Sequence, residues 1–222
     1  MDKQPVNQSQ EVESRLREMI LNLDLGPGER LTERWAEAQF GSSRTPVRAA
    51  LLRLMGEGLV AREGRGWIVT PLDAKEIEQL FVFREVLEAA SLKLASNQIT
   101  ESVLNELEEA YCKPKSSLMT GEAHKIGTDF HMRLAELSGN DFIYRGIADA
   151  MTRLARARWL DTEADHDGWE QHLAIVVALR AGNVDLAASH LVTHISESKC
   201  RLLEILKNTR RSIRARGGLV MA

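Results

Sequence analysis

The sequence predicts a mainly α protein in two parts: an N-terminal winged helix-turn-helix with a small β-hairpin wing, then a C-terminal antiparallel six-helix bundle. Three observations lead there. Residues 32–54 read as two short helices joined by a tight Gly-Ser-Ser corner. Two short apolar runs separated by Glu63-Gly64-Arg65-Gly66 follow them. After Pro71 the strand signal nearly vanishes, and long amphipathic segments with short connections take over. The boundary therefore falls after residue 70, giving domains 1–70 and 71–222.

In chain order, residues 1–8 are polar. A helix is expected from Ser9 or Gln10 to about Leu23, with Val12, Leu16, Met19, Ile20 and Leu23 on one side. Leu25 to Leu31, punctuated by Gly26-Pro27-Gly28, reads as a turn. Thr32 can cap the next helix, which Gly41 ends, because glycine supplies the backbone freedom a corner needs. The following helix has Pro46 in its first turn, where a missing N–H costs nothing. Its Val47, Ala50, Leu51 and Leu54 form one apolar stripe. Arg44, Thr45 and Arg48 lie off that stripe, as the reading side of a recognition helix would. A surface hairpin with solvated arginines is the plain alternative, and the elements that follow weigh against it. Leu59 to Arg62 and Trp67 to Thr70 read as the strands of a wing whose tip presents Arg65 beside Gly66, suited to a phosphate backbone or a minor groove.

Asp73, with Glu76 at the capping-box position, opens the first bundle helix, which runs to about Asn97. Further helices are expected over about 100–112, 118–137, 141–160, 169–180 and 184–209, stopped by Lys113-Pro114-Lys115, Ser138-Gly139-Asn140 and Ala181-Gly182-Asn183. Arg210 to Arg216 form a basic tail that reads by default as disordered.

Composition narrows the function classes. No apolar run approaches the roughly 18 residues a membrane crossing needs, and Met1 to Pro5 lack a signal core, so a cytoplasmic protein with no membrane partner is expected. Cys112 and Cys200 make neither a disulfide framework nor a zinc-ribbon spacing. The net charge of −3 hides a concentration of arginines between residues 30 and 65, and DNA binding needs only such a local surface. In the bundle, His131, His172 and His194 fall on three different helices, each on or beside an apolar stripe. Neutral imidazoles converging there suit zinc, nickel or a similar divalent ion. Hydrogen-bonded core histidines are the other reading. His124, His166 and His190 read as surface residues or outer partners.

Leu25 through Leu31, Ser43 through Leu51, and Leu54 through Val60 resemble the DNA-binding domain of GntR-superfamily bacterial transcriptional regulators. The resemblance implies DNA contacts from Arg34, Arg44, Thr45, Arg48 and Gly66. Trp35 and Phe40 depart from the common pattern, and both still suit a core. The second half is similar to the all-helical ligand-binding domain (FCD) of the FadR-type branch. That likeness rests on Phe83 through Ala90, Phe130-His131, Leu134 through Asn140, Glu170-Gln171-His172 and His190 through Ile195. It implies a metal site completed by an aspartate one turn before the first histidine. Here that position is Gly127, and Asp129 would point off the site. Water, an effector carboxylate or a displaced acid would then complete the set.

The resemblance also implies a small carboxylate effector. Arg84, Arg153 and Arg156 are placed to grip one in bidentate fashion, although each reads equally well as an interhelical ion-pair partner, with Glu88 four residues after Arg84. The expected function is thus a ligand-responsive regulator, commonly a repressor and not an enzyme. Its homodimer would bind a near-palindromic double-stranded operator. A constitutive dimeric DNA binder without effector, and a three-histidine metalloenzyme, are the rival classes.

Overall fold

A computed structural model describes residues 8–111, 120–158, 160–161 and 168–215, with no side-chain account of residue 120 or of 209–215. The chain divides into two compact units, the first ending at Asp73 and the second beginning at Ala74.

The first unit opens with α1 (Gln8–Leu21), whose Val12, Leu16 and Ile20 are buried. It ends two residues earlier than the sequence suggests. Leu23 adopts a left-handed φ of 63° and Leu25 N–H donates back to Met19 O at 3.0 Å, closing the helix and burying Leu25. The stretch read as a plain turn carries a short strand, β1 (Arg30–Leu31). α2 (Glu33–Phe40) starts where Thr32 Oγ1 accepts from Trp35 N–H, and stops at Gly41, φ 59°. α3 (Arg44–Gly56) buries Val47, Ala50, Leu51 and Leu54, the stripe expected of it.

β2 (Val60–Glu63) and β3 (Gly66–Val69) form the wing, each shifted by one residue from the expected strand. β1 adds to the far edge of β3, giving the antiparallel order β1-β3-β2 with Leu31 opposite Trp67 and Arg62 opposite Trp67 on the other side. Gly66 is needed at that crossing: a Cβ there would approach Leu31 O to 3.3 Å. Trp67, Leu59, Leu54, Leu51 and Leu16 fill one core. Each large side chain so buried contributes roughly 1.5–3 kcal/mol, which fixes the exposed face of α3.

The second unit comprises α4 (Ala74–Ala95), α5 (Glu101–Glu109), α6 (Thr120–Leu137), α7 (Asp141–Arg158), α8 (Gly168–Arg180) and α9 (Val184–Ala215). α9 continues past Thr209 into the basic stretch, with helical backbone up to Ala215. Cys112, the Lys113-Pro114-Lys115 break and His166 lie outside the described residues. The helices pack as a bundle, with α4 and α9 along one another, α8 against α9, and α5 against α8. Ser91 Oγ donates to Leu134 O at 3.1 Å and ties α4 to α6 inside the core. Among the described residues no helix is long and apolar enough to cross a membrane.

Candidate nucleic-acid interface and candidate metal centre

On the first unit, burial of the α3 stripe turns Arg44, Thr45 and Arg48 outward together, around a shallow recess of about 300 Å³ that Ala49 and Leu52 complete. Arg34 is exposed on α2, and Arg65 is exposed at the wing tip between Gly64 and Gly66. The arginines do not stand alone. Glu33, only 12% exposed, accepts from Arg44 Nε at 2.7 Å and lies 3.7 Å from Arg48 Nε and 3.9 Å from Arg62 Nη1. The hydrogen bond from Arg44 holds this carboxyl below its ordinary range. Arg62 in turn lies over the Trp67 ring, 3.7 Å from its centroid. A carboxylate thus gathers the cations of helix and wing on one side of the unit. In the sequence Glu33 carries no signal beyond its place in the first turn of α2, next to Arg34; its meeting with Arg44, eleven residues later, is a product of the fold.

In the second unit, α6, α8 and α9 bring His131, His172 and His194 together, all buried. His172 Nε2 lies 3.3 Å from His131 Nε2 and 3.0 Å from His194 Nε2. Each remaining ring nitrogen is held from behind. His131 Nδ1 is 2.6 Å from Glu88 Oε2, His194 Nδ1 is 2.7 Å from Gln171 Oε1, and His172 Nδ1 is 2.6 Å from Tyr111 Oη. Gln171 donates its own amide N–H to Glu197, which fixes which end of the amide faces His194. The Phe130 ring stacks on His172 with centroids 4.3 Å apart.

The electrostatics favour neutral rings with lone pairs available. Burial, and then the neighbouring imidazoles, push His172 well below its ordinary pKa. Burial also lowers His194 and His131. Burial alone would raise the Glu88 carboxyl, but Arg84 and His131 outweigh it and hold Glu88 at about 2. Arg84 Nε donates to Glu88 Oε1 at 2.7 Å, so Arg84, Glu88 and His131 form one chain of contacts leading to the cluster.

These residues fit a divalent ion. A tetrahedral zinc with Zn–N of about 2.0–2.1 Å sets its nitrogens roughly 3.3 Å apart, close to the spacing here. Metal-ligating histidines are oriented by a carboxylate, carbonyl or similar acceptor on the other ring nitrogen, and such partners stand behind all three.

Gly127, one turn before His131, is buried beside the cluster: a Cβ there would lie 3.7 Å from His172 Cε1 and 3.5 Å from Arg158 Nη2. Asp129 is exposed and paired with Lys125, away from the histidines. Of the arginines singled out from sequence, only Arg84 reaches the cluster, through Glu88. Arg153 pairs with Asp149 and Glu76, and Arg156 is buried, where the charges of Glu76 and Arg153 act on it. The arginine beside the histidines is Arg158, whose Nη1 donates to Thr128 Oγ1 at 2.8 Å and which burial lowers to about 10. A signal for it was present, since Arg158 continues the buried Ile147, Met151, Leu154 stripe at helical spacing. Nothing in the sequence pointed to Tyr111.

Comparisons with known proteins agree with both halves. Residues 8–69 match the family described as bacterial regulatory proteins, gntR family, and residues 79–197 match the FCD domain. The Nta operon transcriptional regulator of Aminobacter aminovorans is 31% identical over 85% of this chain and 91% of its own length. The HTH-type transcriptional repressor RspR of Escherichia coli (strain K12) is 26% identical over 87% of each chain. The crystal structure of a putative GntR transcriptional regulator from Rhodococcus sp. RHA1 shares the fold, with a TM-score of 0.76 at 23% identity over 90% of this chain and 99% of that one.

Proposed function

The chain belongs to the gntR family of bacterial regulatory proteins, with an FCD domain behind its DNA-binding unit, and from that premise we propose a ligand-responsive repressor. It is a transcriptional regulator rather than an enzyme, as its family and relatives are. In the proposed mechanism it acts in the cytoplasm as a homodimer on a near-palindromic operator. Arg44, Thr45 and Arg48 face the major groove from α3, Arg34 grips phosphate, and Arg65 and Gly66 lie along the backbone or the minor groove.

The observation that carries the effector half is the convergence of three Nε2 atoms, each imidazole held from behind by Glu88, Gln171 or Tyr111. We assign these histidines to zinc or nickel, which would act as a Lewis acid toward a small organic anion. The chain's own part is to present neutral nitrogens in a dry site and leave a fourth position open. An effector changes DNA affinity only through its differential affinity for the two states of the protein.

Dimerisation is assigned to the outer face of α4 and α7. Val82, Phe83 and Val86 are exposed on α4, and Phe142, one turn before Gly146 on α7, is 82% exposed. Gly146 lets the two helices meet, since a Cβ there would come within 2.8 Å of Leu87 Cδ1 and 3.2 Å of Phe83.

Elemental analysis of unchelated protein beside a His172→Ala variant tests the metal assignment: about one ion per chain, lost in the variant, is expected. Operator selection from a random duplex library, with and without chelator, tests the regulatory half. Absence of metal from both proteins would leave a ligand-free dimeric DNA binder.

A further inference from the structure

We propose that the C-terminal end of α9 is a second, sequence-independent DNA contact, made by Lys207, Arg210, Arg211 and Arg214 along the phosphate backbone beside the operator. This rests on operator binding by the first unit, and adds a contact that lies outside both matched family segments, residues 8–69 and 79–197.

The sequence supplies the charge. Basic residues stand at positions 207, 210, 211, 214 and 216, and no acidic residue follows Glu204. The backbone is helical to Ala215, and steps of three and four residues put the first four of these on one side of a helix. The bundle uses another side: Leu202 and Leu206 are buried, roughly 100° away around the axis. Lys207 is 58% exposed, and its pair with Glu204 at 3.6 Å is one that water screens.

The packing of the second unit supplies the position. Glu88 lies 2.6 Å from His131 Nδ1, and His194 stacks on the same ring with centroids 5.2 Å apart, so α4 and α9 are level there. α7 runs back toward the start of α4, since Gly146 meets Leu87 and Arg153 reaches Glu76. Just past the end of α7, Asp161 accepts from Arg201 Nε at 2.8 Å. From His194 to Arg201, α9 therefore travels antiparallel to α4, toward the end of the bundle where Ala74 begins. At 1.5 Å per residue α4 takes roughly 21 Å to run from Glu88 back to Ala74, and α9 covers as much by about residue 208. Its basic stretch thus continues past the bundle at the end where the chain enters from the first unit.

Charge complementarity selects the partner. The four cations span roughly 10 Å of helix, and duplex DNA offers one negative charge per about 1.7 Å of its axis. A lipid surface suits the stretch less well, because an interfacial helix needs a free apolar side, and Leu202 and Leu206 commit that side to the bundle.

The experiment uses full-length protein and fluorescence anisotropy at several salt concentrations, on a duplex bearing the selected operator and on one of unrelated sequence. Two double variants lose equal charge, with glutamine keeping helix propensity: Arg211→Gln with Arg214→Gln, and Lys93→Gln with Lys125→Gln, two exposed lysines elsewhere on the bundle. The arginine pair should lower the slope of log affinity against log salt by about two per chain. It should weaken binding to both duplexes alike, by about tenfold or more at low salt. The lysine pair should keep the native slope. A native slope in the arginine pair, or equal losses in both variants, would overturn the proposal. So would binding to phosphatidylserine–phosphatidylcholine vesicles that the arginine pair loses while its DNA slope stays native, which assigns the stretch to lipid. Failure of the native chain to bind either duplex would instead overturn the operator reading, and this contact with it.

Discussion

The Tyr111 hydroxyl lies 2.6 Å from His172 Nδ1, and it differs in kind from the groups behind the other two histidines. The Glu88 carboxylate and the Gln171 carbonyl can only accept, so His131 and His194 carry their protons on Nδ1 and turn Nε2 lone pairs inward. Those lone pairs lie 3.3 and 3.0 Å from His172 Nε2. Without a cation between them, the proton that separates them sits on His172 Nε2, and Tyr111 donates to Nδ1. With a cation, His172 needs the opposite tautomer, and its Nδ1–H donates to Tyr111 Oη. A hydroxyl serves both arrangements.

Tyr111→Phe therefore removes the partner of His172 Nδ1 in either state. Zinc affinity should fall about ten- to a hundredfold, the usual effect of losing such an orienting group. Competition titration against a chromophoric chelator measures it. Nitrogen NMR of labelled histidine should show the His172 tautomer reversing on zinc addition in the native chain. Unchanged affinity in the variant would remove Tyr111 from the site.

Glu33 gathers Arg44, Arg48 and Arg62, and it also competes with phosphate for them. Glu33→Gln should raise affinity for arbitrary duplex DNA several-fold at low salt and steepen the salt dependence by about one phosphate contact. Preference for the selected operator should narrow, because the arginines lose the group that aims them. Fluorescence anisotropy at several salt concentrations reads both effects. A variant that binds all duplexes as the native chain does would show that the pairing is incidental.

Much of this was legible in the sequence because helical spacing is a local property. The α3 stripe Val47, Ala50, Leu51 and Leu54 is buried as its periodicity implies, and the three histidines fall on inward faces of three helices for the same reason. What escaped depends on partners far along the chain. β1 is two residues long and exists through pairing with Ile68 and Trp67. Its sequence, beside Gly-Pro-Gly, reads as turn. Tyr111 follows the end of α5, where no period constrains a side chain, so nothing announced its meeting with His172, 61 residues later. Arg153, Arg156 and Arg158 look alike in sequence. A helix turns about 100° per residue, and that rotation alone sends Arg153 to Glu76 and Asp149 and Arg158 to the histidines.

Val86 is 63% exposed on the apolar outer face of α4, with Val82 and Phe83 beside it. If two copies meet there, Val86→Glu places like charges across the two-fold axis, where they repel and are desolvated. The expected result is a monomer by light scattering, with operator affinity reduced at least about tenfold because half-sites no longer bind together. The side chain is exposed within the single chain, so helical content by circular dichroism should not change. A dimer of native stability would move the interface elsewhere.

The last prediction concerns pH, in protein stripped of metal. Burial depresses His131, His172 and His194 below the ordinary value of 6.5, so the folded bundle refuses protons that the unfolded chain accepts. Where the unfolded state binds more protons, stability rises with pH. The contribution of these histidines is thus complete above about pH 6.5 and is lost progressively as the pH falls below it. Glu88 acts in a second, lower window. Its carboxyl is held near 2 in the folded chain against 4.5 ordinarily, so its contribution is present above 4.5 and disappears between 4.5 and about 2. Urea unfolding of the stripped protein should therefore weaken between pH 7.5 and 5.5, with a limiting slope of about 1.4 kcal/mol per pH unit for each neutral histidine. Comparison with His172→Gln in the same buffers cancels whatever the DNA-binding unit contributes. The variant should be less sensitive over that interval, while both proteins should share the loss below pH 4.5. Equal slopes between pH 7.5 and 5.5 would mean that His172 takes up its proton in the folded bundle, which contradicts the dry, neutral site on which the metal assignment stands.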